Sequence, residues 1–391
     1  MGFLRFYLAM CVVMAHASPV LPWPVLDGRQ AVQMFFMISG FYMQFVLSTK
    51  YASLKSFYTS RLLRIFVPYF VALALVVVIS VLSGLVLGDW LAFTPYSAWR
   101  ENGVTGVLIT ATTNITLFFQ DWVMFLTQDS GKSLQFTANF WNSASPLWHY
   151  LLIPQAWSIG VELSYYLVVP LLARKFSTKM LCGLIVTSQV ARFLVYGYLG
   201  AAHDPWTYRF FPFELAHFAY GMLAARLYFM LKARRIGSWQ SSWQSYVALV
   251  SVLLVAFSIN AALVRVLKPY VSIYLPFGSE VLILGSFVVW VPLIAGLFIL
   301  TKNSTIDRFL GELSYPIYLV HYVIVGLAGA LVAQGILMAN MVGWFAVVAS
   351  ILVSVLLVVL ALNPFERWRA LKIASLTGVG ARSKVNFSTL N

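Results

Sequence analysis

The chain has 391 residues, of which 61% are hydrophobic and only 10% are charged. Soluble domains carry about 25% charged residues, and a chain of this length cannot bury so much apolar surface by itself. The composition therefore excludes an ordinary soluble protein and predicts a polytopic membrane protein. The net charge of +14 does not indicate nucleic-acid binding, because the lysines and arginines lie in short clusters between apolar runs, as membrane topology signals do.

Ten apolar runs follow one another along the chain, each near the roughly 20 residues that a bilayer-spanning helix needs. They cover residues 4–22, 31–49, 63–87, 153–173, 180–199, 210–230, 245–267, 280–300, 314–333 and 341–362. The sequence thus predicts an all-α, polytopic membrane protein with about ten transmembrane helices. We expect a single membrane domain over 1–363 and a short basic cytoplasmic tail over 364–391.

The first run also looks like an export signal, because Arg5 precedes an apolar stretch and Ala15-His16-Ala17 imitates a cleavage site. On a helix, however, Arg5 and His16 share one face and lie about 16 Å apart along the axis. An ionisable side chain inside a span is costly and indicates a functional site by default. His16 is therefore either a hydrogen-bonding residue of the helix bundle, with Arg5 as an interface anchor, or part of a site.

The second and third spans carry weaker signals. Ser39 and Gly40 interrupt an aromatic helix, and such small residues let helices approach closely. Arg61 and Arg64 share one helix face at the start of the third span. They are either anchors for lipid headgroups or a clamp for an anionic ligand, since arginine matches phosphate geometry with two hydrogen bonds.

The longest connection, 88–152, contains a semi-apolar stretch over 107–122 that is too polar to count as a span. We expect it to form a re-entrant or interfacial segment packed over the bundle, because irregular backbone at membrane depth must be buried in protein.

Glu162 lies about eight residues inside the fourth span, among Trp157, Ser158, Tyr165 and Tyr166. A carboxylate at that depth needs a partner or a proton. The candidate cation at similar depth is His16, so we expect a pair between these two side chains, either structural or catalytic.

The later spans hold further ionisable groups. Tyr318 and His321 share a face of the ninth span, close to Ser314 and Tyr315, and they either form core hydrogen bonds or support a site. Glu214 and His217 lie in the sixth span, and no motif assigns them a role.

Charge in the connections predicts the orientation. With a cytoplasmic N-terminus, the connections expected inside are rich in basic residues and those outside are poorer. An even number of spans then places both termini in the cytoplasm. The inside clusters are Lys50/Lys55/Arg61/Arg64, Arg174/Lys175/Lys179, Arg226/Lys232/Arg234/Arg235, Lys302/Arg308 and the tail residues Arg367, Arg369, Lys372, Arg382 and Lys384.

Taken together, these stretches resemble the membrane acyltransferase-3 family of bacterial O-acyltransferases, in its stand-alone form. Five motifs occur in the family's order: an Arg and, eleven residues on, a His; F-F-x-x-S-G-F; R-x-x-R; W-S-[LI]-x-V-E; and S-Y-x-x-Y-L-x-H. They match Arg5 and His16; Phe35, Phe36, Ser39, Gly40 and Phe41; Arg61 and Arg64; Trp157, Ser158, Ile159, Val161 and Glu162; and Ser314, Tyr315, Tyr318, Leu319 and His321.

The resemblance implies an integral-membrane O-acyltransferase of the bacterial inner membrane. It implies acyl-CoA, usually acetyl-CoA, as the donor substrate, a saccharide hydroxyl as the acceptor, no permanently bound cofactor and no metal. Acyl transfer needs a base and a stabilised oxyanion, and histidine suits the base role near neutrality. We expect His16 as general base, Glu162 orienting it, and Arg5, Arg61 and Arg64 holding the donor's phosphates. The supporting residues would be Ser39, Trp157, Ser158, Tyr315, Tyr318 and His321.

Two other functions fit the same features. A transporter or flippase for a glycan or lipid would also have ten spans and charges inside the membrane, although the chain shows no inverted repeat. The same acyl transfer could also act on a small acceptor of the macrolide type.

Overall fold

The structure is a computed structural model that describes residues 1–18, 20, 26–50, 53–101, 103–129, 132–234, 243–274 and 277–369. Over these residues the chain is almost entirely helical, which confirms the all-α, polytopic prediction. Its eleven α-helices are α1 Gly2–His16, α2 Gly28–Thr49, α3 Leu54–Leu87, α4 Val104–Thr116, α5 Trp157–Lys175, α6 Thr178–Leu199, α7 Phe211–Ala233, α8 Trp243–Tyr274, α9 Gly278–Thr301, α10 Thr305–Ala333 and α11 Val342–Leu357.

Each of the ten predicted spans coincides with one of these helices, while α4 lies in the long connection. Among the described residues, eight helices are long and apolar enough to cross a bilayer. The other two predicted spans correspond to α7 and to α1, which has only 15 residues. A helix of that length measures about 22 Å, less than the roughly 30 Å of a hydrocarbon core.

Helix α1 is shorter than predicted, because it ends at His16 rather than near residue 22. It packs mainly against α10 and α2. Its first turn is capped from another helix, since the backbone N–H groups of Gly2 and Phe3 donate to the carboxylate of Asp307 at 2.6 and 2.9 Å. That carboxylate satisfies donors that a helix N-terminus leaves unpaired. His16 is consequently held at the exposed end of a helix whose other end is fixed to α10.

Several helices begin with a side-chain cap and start earlier than their apolar runs. The hydroxyls of Ser53 and Ser304 accept from the backbone N–H of Ser56 and Asp307, three residues on, which is the preferred N-cap arrangement. Helices α3 and α10 therefore include a polar first section that precedes the predicted spans by about nine residues. These sections carry Arg61 and Arg64 on α3 and Asp307 on α10.

The 88–152 connection contains elements that the sequence did not predict. A 3-10 helix covers Leu91–Glu101, and α4 occupies much of the stretch that we expected to be re-entrant or interfacial. Two short antiparallel strands follow, β1 Leu126–Gln128 and β2 Leu134–Phe136, paired in the register Leu126↔Phe136.

The C-terminal end also differs from the prediction. A π-helical turn over Val358–Leu362 leads into helix that continues to Arg369, beyond the expected boundary at 363. The Arg369 guanidinium donates to the Ser60 hydroxyl at 2.6 Å and pairs with Glu366. The rest of the predicted tail, 370–391, lies outside the described residues.

Candidate active site

A cavity of about 620 Å³ lies between α1, α2, α3, α5, α10 and the C-terminal end of the described chain. Eight of the eleven side chains that the sequence singled out line it, although they come from five different helices. They are Arg5, Ser39, Arg61, Arg64, Ser158, Glu162, Tyr315 and Tyr318. His16, Trp157 and His321 do not line this cavity.

One part of the cavity wall is strongly basic. Seven basic side chains line it together with four acidic ones, so the described wall carries a net positive charge. The basic residues are Arg5, Lys50, Arg61, Arg64, Lys302, Arg308 and Arg369, and the acidic ones are Glu162, Asp307, Glu312 and Glu366. Because the cavity is enclosed by apolar helices, its charges are screened less than charges on an open surface. Such a wall suits a polyanionic ligand.

The inner end of the cavity is built by polar contacts between α2, α5 and α10. The carboxylate of Glu162 accepts hydrogen bonds from Ser39 at 2.6 Å and from Tyr166 at 2.7 Å. The hydroxyl of Tyr318 lies 2.7 Å from the hydroxyl of Ser158 and donates to the carbonyl of Gln155 at 2.8 Å. These bonds hold the start of α5 against the middle of α10.

His16 and His321 lie together, next to Tyr318, which lines the cavity. The Nε2 atom of His321 is 3.3 Å from Nδ1 of His16, and the ring centroid of His321 is 5.9 Å from that of Tyr318. Tyr318 in turn faces the ring of Phe35, with a centroid distance of 6.2 Å. His321 is fully buried, whereas His16 is exposed.

The expected pair between His16 and Glu162 is not formed. The described contacts of His16 are to the Val12 carbonyl, to His321 and to the ring of Tyr322, and those of Glu162 are to Ser39 and Tyr166. The sequence placed both groups at similar depth, but depth does not determine which way each helix is rotated. Glu162 therefore belongs to the cavity wall, and the partner of His16 is His321.

Trp157 belongs to a cluster on the other side of α5 that sequence reasoning missed. The guanidinium of Arg209 lies over the ring of Trp157 at 4.5 Å and over that of Tyr208 at 4.6 Å. Asp204 binds it through two bonds, of 2.6 and 2.9 Å. Burial alone would lower the pKa of Arg209, but Tyr208 and Asp204 raise it above its ordinary value. The charge of Arg209 also acts on His16 and Tyr322, so this cluster is within electrostatic range of the histidine pair.

Glu214 and His217, for which the sequence gave no role, form a separate buried ion cluster. Arg192 of α6 donates to the Glu214 carboxylate at 2.8 Å, and His217 lies 2.9 Å from it. None of the three side chains is exposed, and none lines the cavity. Arg192 is an ionisable residue inside a predicted span, so the hydropathy pattern alone contained the signal for it.

Tyr166, which the sequence placed among the neighbours of Glu162, follows it by four residues, a helical spacing that predicts their contact. Two further contributors to the site were missed. Gln155 and Arg369 carry no comparable signal, because each lies beside the end of an apolar run and acquires its partners only through tertiary packing.

Residues 1–362 match the acyltransferase-3 family model, which is described as an acyltransferase domain. No curated protein and no solved structure matches the chain.

Proposed function

The chain belongs to the membrane acyltransferase-3 family, and from this premise we propose that it transfers an acyl group from cytoplasmic acyl-CoA to a saccharide hydroxyl. The observation that carries the proposal is that Tyr318 contacts two features of the site. It lines the basic cavity, and its ring lies beside His321, whose partner His16 is exposed.

The basic cavity supports a coenzyme A thioester as donor, with acetyl-CoA as the simplest one. Coenzyme A carries several phosphates on its nucleotide part, and arginine binds phosphate with two parallel hydrogen bonds. Arg61, Arg64 and Arg5 would hold these phosphates near the cytoplasmic ends of α3 and α1. The pantetheine arm would extend along the cavity towards Glu162 and Ser158.

The reaction itself would take place between Tyr318 and His16. His16 would take the proton of the acceptor hydroxyl as that oxygen attacks the thioester carbonyl carbon. The C–S bond would break, and the coenzyme A thiolate would receive the proton back from the imidazolium. The products are an ester and free coenzyme A, so atoms and charge balance without another reactant.

Glu162 has a different role in this proposal from the one that the sequence predicted. Its two hydrogen bonds reach one carboxylate oxygen. Glu162 lines the cavity, and its other oxygen would accept from an amide N–H of the pantetheine arm. Glu162 would thereby position the donor rather than orient the base.

The acceptor would approach the exposed side of His16. Trp157, Tyr208 and Arg209 form an aromatic and basic cluster that would bind a saccharide there, and the 88–152 connection packs over the same end of α5, with Asp121 against Gly160. Surface polysaccharides, lipid-linked glycans and oligosaccharides carry suitable hydroxyl groups. A small macrolide-type acceptor would use the same base, whereas family membership disfavours the transporter.

Access from opposite sides fits the predicted orientation, with both termini in the cytoplasm of a bacterial cell and the chain in its inner membrane. The arginines then face the compartment that contains acyl-CoA. The base faces the compartment in which surface glycans are assembled.

The test is mass spectrometry of surface glycans from isogenic cells that carry the gene, lack it, or carry H16A. General-base loss costs about 10²- to 10⁴-fold in rate, so H16A is expected to lose the ester that the wild type adds, at equal membrane abundance. Identical glycan O-acylation in all three strains would contradict the proposed acceptor class, and full ester formation with H16A would contradict the assignment of the base.

A further inference from the structure

We propose that His321 is a positioning residue that holds His16 in the tautomer protonated on Nδ1, so that the bare Nε2 is the basic atom. This inference rests on the proposed function for its catalytic meaning. Its structural content, the location of one proton, can be tested independently of activity.

The tautomer of His321 follows from its hydrogen bonds. Its Nδ1 lies 2.8 Å from the carbonyl oxygen of Tyr318. A carbonyl oxygen can only accept, so Nδ1 of His321 must carry a proton. Because His321 is fully buried among apolar and aromatic side chains, it is neutral there. A neutral imidazole with a proton on Nδ1 has a lone pair on Nε2.

That lone pair faces His16. The Nε2 atom of His321 lies 3.3 Å from Nδ1 of His16, and the Val12 carbonyl oxygen lies 2.9 Å from the same Nδ1 atom. Both neighbours are acceptors, so the atom between them must be the donor. Two independent contacts thus place the proton of His16 on Nδ1 and leave its Nε2 without one.

Gln155 helps to fix the geometry of the His16–His321 pair by binding the helix turn that carries His321. Its amide donates to the carbonyl oxygens of Tyr318 and Leu319 at 3.2 and 2.8 Å. The Tyr318 carbonyl therefore accepts from both Gln155 and His321, which ties the start of α5 to the turn of α10 that carries His321. In the described residues no carboxylate hydrogen-bonds to either histidine of the pair.

The proton on Nδ1 of His16 favours the action of this residue as a general base. Because Nε2 of His16 carries no proton, it can take one without a change of tautomer. The imidazolium that forms still donates through Nδ1 to two acceptors, and hydrogen bonds to a charged group are about twice as strong as neutral ones. The orienting role that serine hydrolases assign to a carboxylate is here filled by a neutral histidine.

The experiment is nitrogen NMR on the full-length protein in lipid bilayers at pH 8, with ¹⁵N-labelled histidine. The signals of His16 are identified by their loss in H16Q. We expect a protonated Nδ1 and an unprotonated Nε2 at His16. A proton on Nε2 of His16 in the wild type would overturn the proposal whatever the enzyme's activity.

Two variants at His321 separate positioning from packing. H321F keeps a ring but removes the acceptor, whereas H321Q replaces it with an amide oxygen at a similar distance from the backbone. In H321F the Val12 carbonyl still accepts from Nδ1 of His16, but the acceptor on His321 is lost. We therefore expect the other His16 tautomer to gain in population and the acyl-transfer kcat to fall by about 10- to 100-fold, the range known for partners of metal-ligating histidines. The KM for acetyl-CoA should stay unchanged, because His321 does not line the donor cavity.

H321Q should restore most of the activity and the Nδ1 proton signal. H321F should also cause no further loss when H16A is already present, since His321 acts through His16. A folded H321F protein with wild-type tautomer and rate, or an equal loss in H321Q and H321F, would overturn the positioning role. A correct tautomer in a protein that transfers no acyl group would leave this inference standing and contradict the proposed function instead.

Discussion

Asp121 is a buried carboxyl group whose pKa affects the stability of the whole protein. It lies in the turn after α4, outside the membrane-spanning helices, and only 1% of its surface is exposed. Its Oδ1 atom has no hydrogen-bond partner and lies against Gly160 of α5. Burial raises the pKa of this carboxyl to about 7, because an unpaired charge at this position would lose its hydration.

The raised pKa makes the stability of the protein depend on pH. Between its ordinary pKa of 3.8 and about 7, the folded state binds a proton at Asp121 that the unfolded state has lost. Stability therefore falls as the pH rises through this window, by an amount on the order of 4 kcal/mol. We expect D121N, which is neutral at every pH, to be more stable than the wild type at pH 8 and about equal to it at pH 4.

Denaturant unfolding in detergent at several pH values measures this difference. D129N is the matched control, because the Asp129 carboxylate is partly exposed and bound to Ser133 and Gln135. A D121N protein with the same pH slope as the wild type would show that Asp121 is not the group responsible.

At the same scale, the sequence named the candidate side chains but did not predict their partners. His16 and Glu162 were both identified by the cost of an ionisable group inside a span. Their pairing was wrong, because it depends on the rotation of α1 and α5 about their axes. Hydropathy reports depth and does not report rotation, so His321 could not be recognised as the partner of His16.

Helices α2 and α7 cross at two glycines, one from each helix. A Cβ atom at Gly40 would overlap the carbonyl oxygen of Phe218, and one at Gly221 would overlap that of Met37. Both obstacles are backbone atoms, which cannot move aside as a flexible side chain does. This contact places Ser39, next to Gly40, where it reaches Glu162.

We expect G40A and G221A each to force α2 and α7 apart, and so to lower the midpoint of thermal unfolding and the acyltransferase activity. Overpacking of this kind costs about 1–3 kcal/mol or more. G183A on α6 is the matched control, since nothing lies within 4 Å of a Cβ there and alanine is the better helix former. Thermal unfolding in detergent that gave the same loss at all three positions would contradict the close-contact argument.

The positions of the helices were predictable because a bilayer imposes a minimum length of apolar sequence. Their ends were less predictable. Helices α3 and α10 extend through polar residues that are stabilised by serine caps, and α1 stops at His16 although the apolar run continues. The hairpin of β1 and β2 was missed because its strands have only three residues each.

The charge distribution of the whole molecule concentrates basic side chains in one enclosed place. Arg61 is buried and Arg64 half-buried, and both line the cavity with Arg5 and Lys302. Lys175 and Lys179 belong to the same predicted cytoplasmic face but are exposed and lie outside the cavity. Variants of these two sets of residues therefore distinguish side chains that bind the donor from side chains that only set the membrane topology.

We expect R61A/R64A to raise the KM for acetyl-CoA about tenfold or more, because each hydrogen bond to a charged group contributes about 1.5–3 kcal/mol. The kcat should change less, since these side chains do not reach the reacting atoms. The double variant K175A/K179A removes the same charge and should leave the KM unchanged. Steady-state kinetics in vesicles that gave equal KM values for both double variants would assign Arg61 and Arg64 to lipid contacts.

For the molecule as a whole, ordered motifs predicted the family and eight of the side chains that line the cavity. The family match over 1–362 confirms the former. The motifs also contained Tyr318 and Phe35, but they did not predict that His16 and His321 would pair with each other without lining the cavity, because that depends on helix rotation.

The rings of Tyr318 and Phe35 also bear on the proton gradient across the membrane. In the proposed reaction the two substrates would arrive from opposite faces of the membrane, and a continuous aqueous path between those faces would let protons run down their gradient. The Tyr318 ring is fastened through its hydroxyl to Ser158 and Gln155, and it contacts the ring of Phe35. In the absence of substrate, these two rings would narrow the path between the donor cavity and His16 and so limit the leakage of protons.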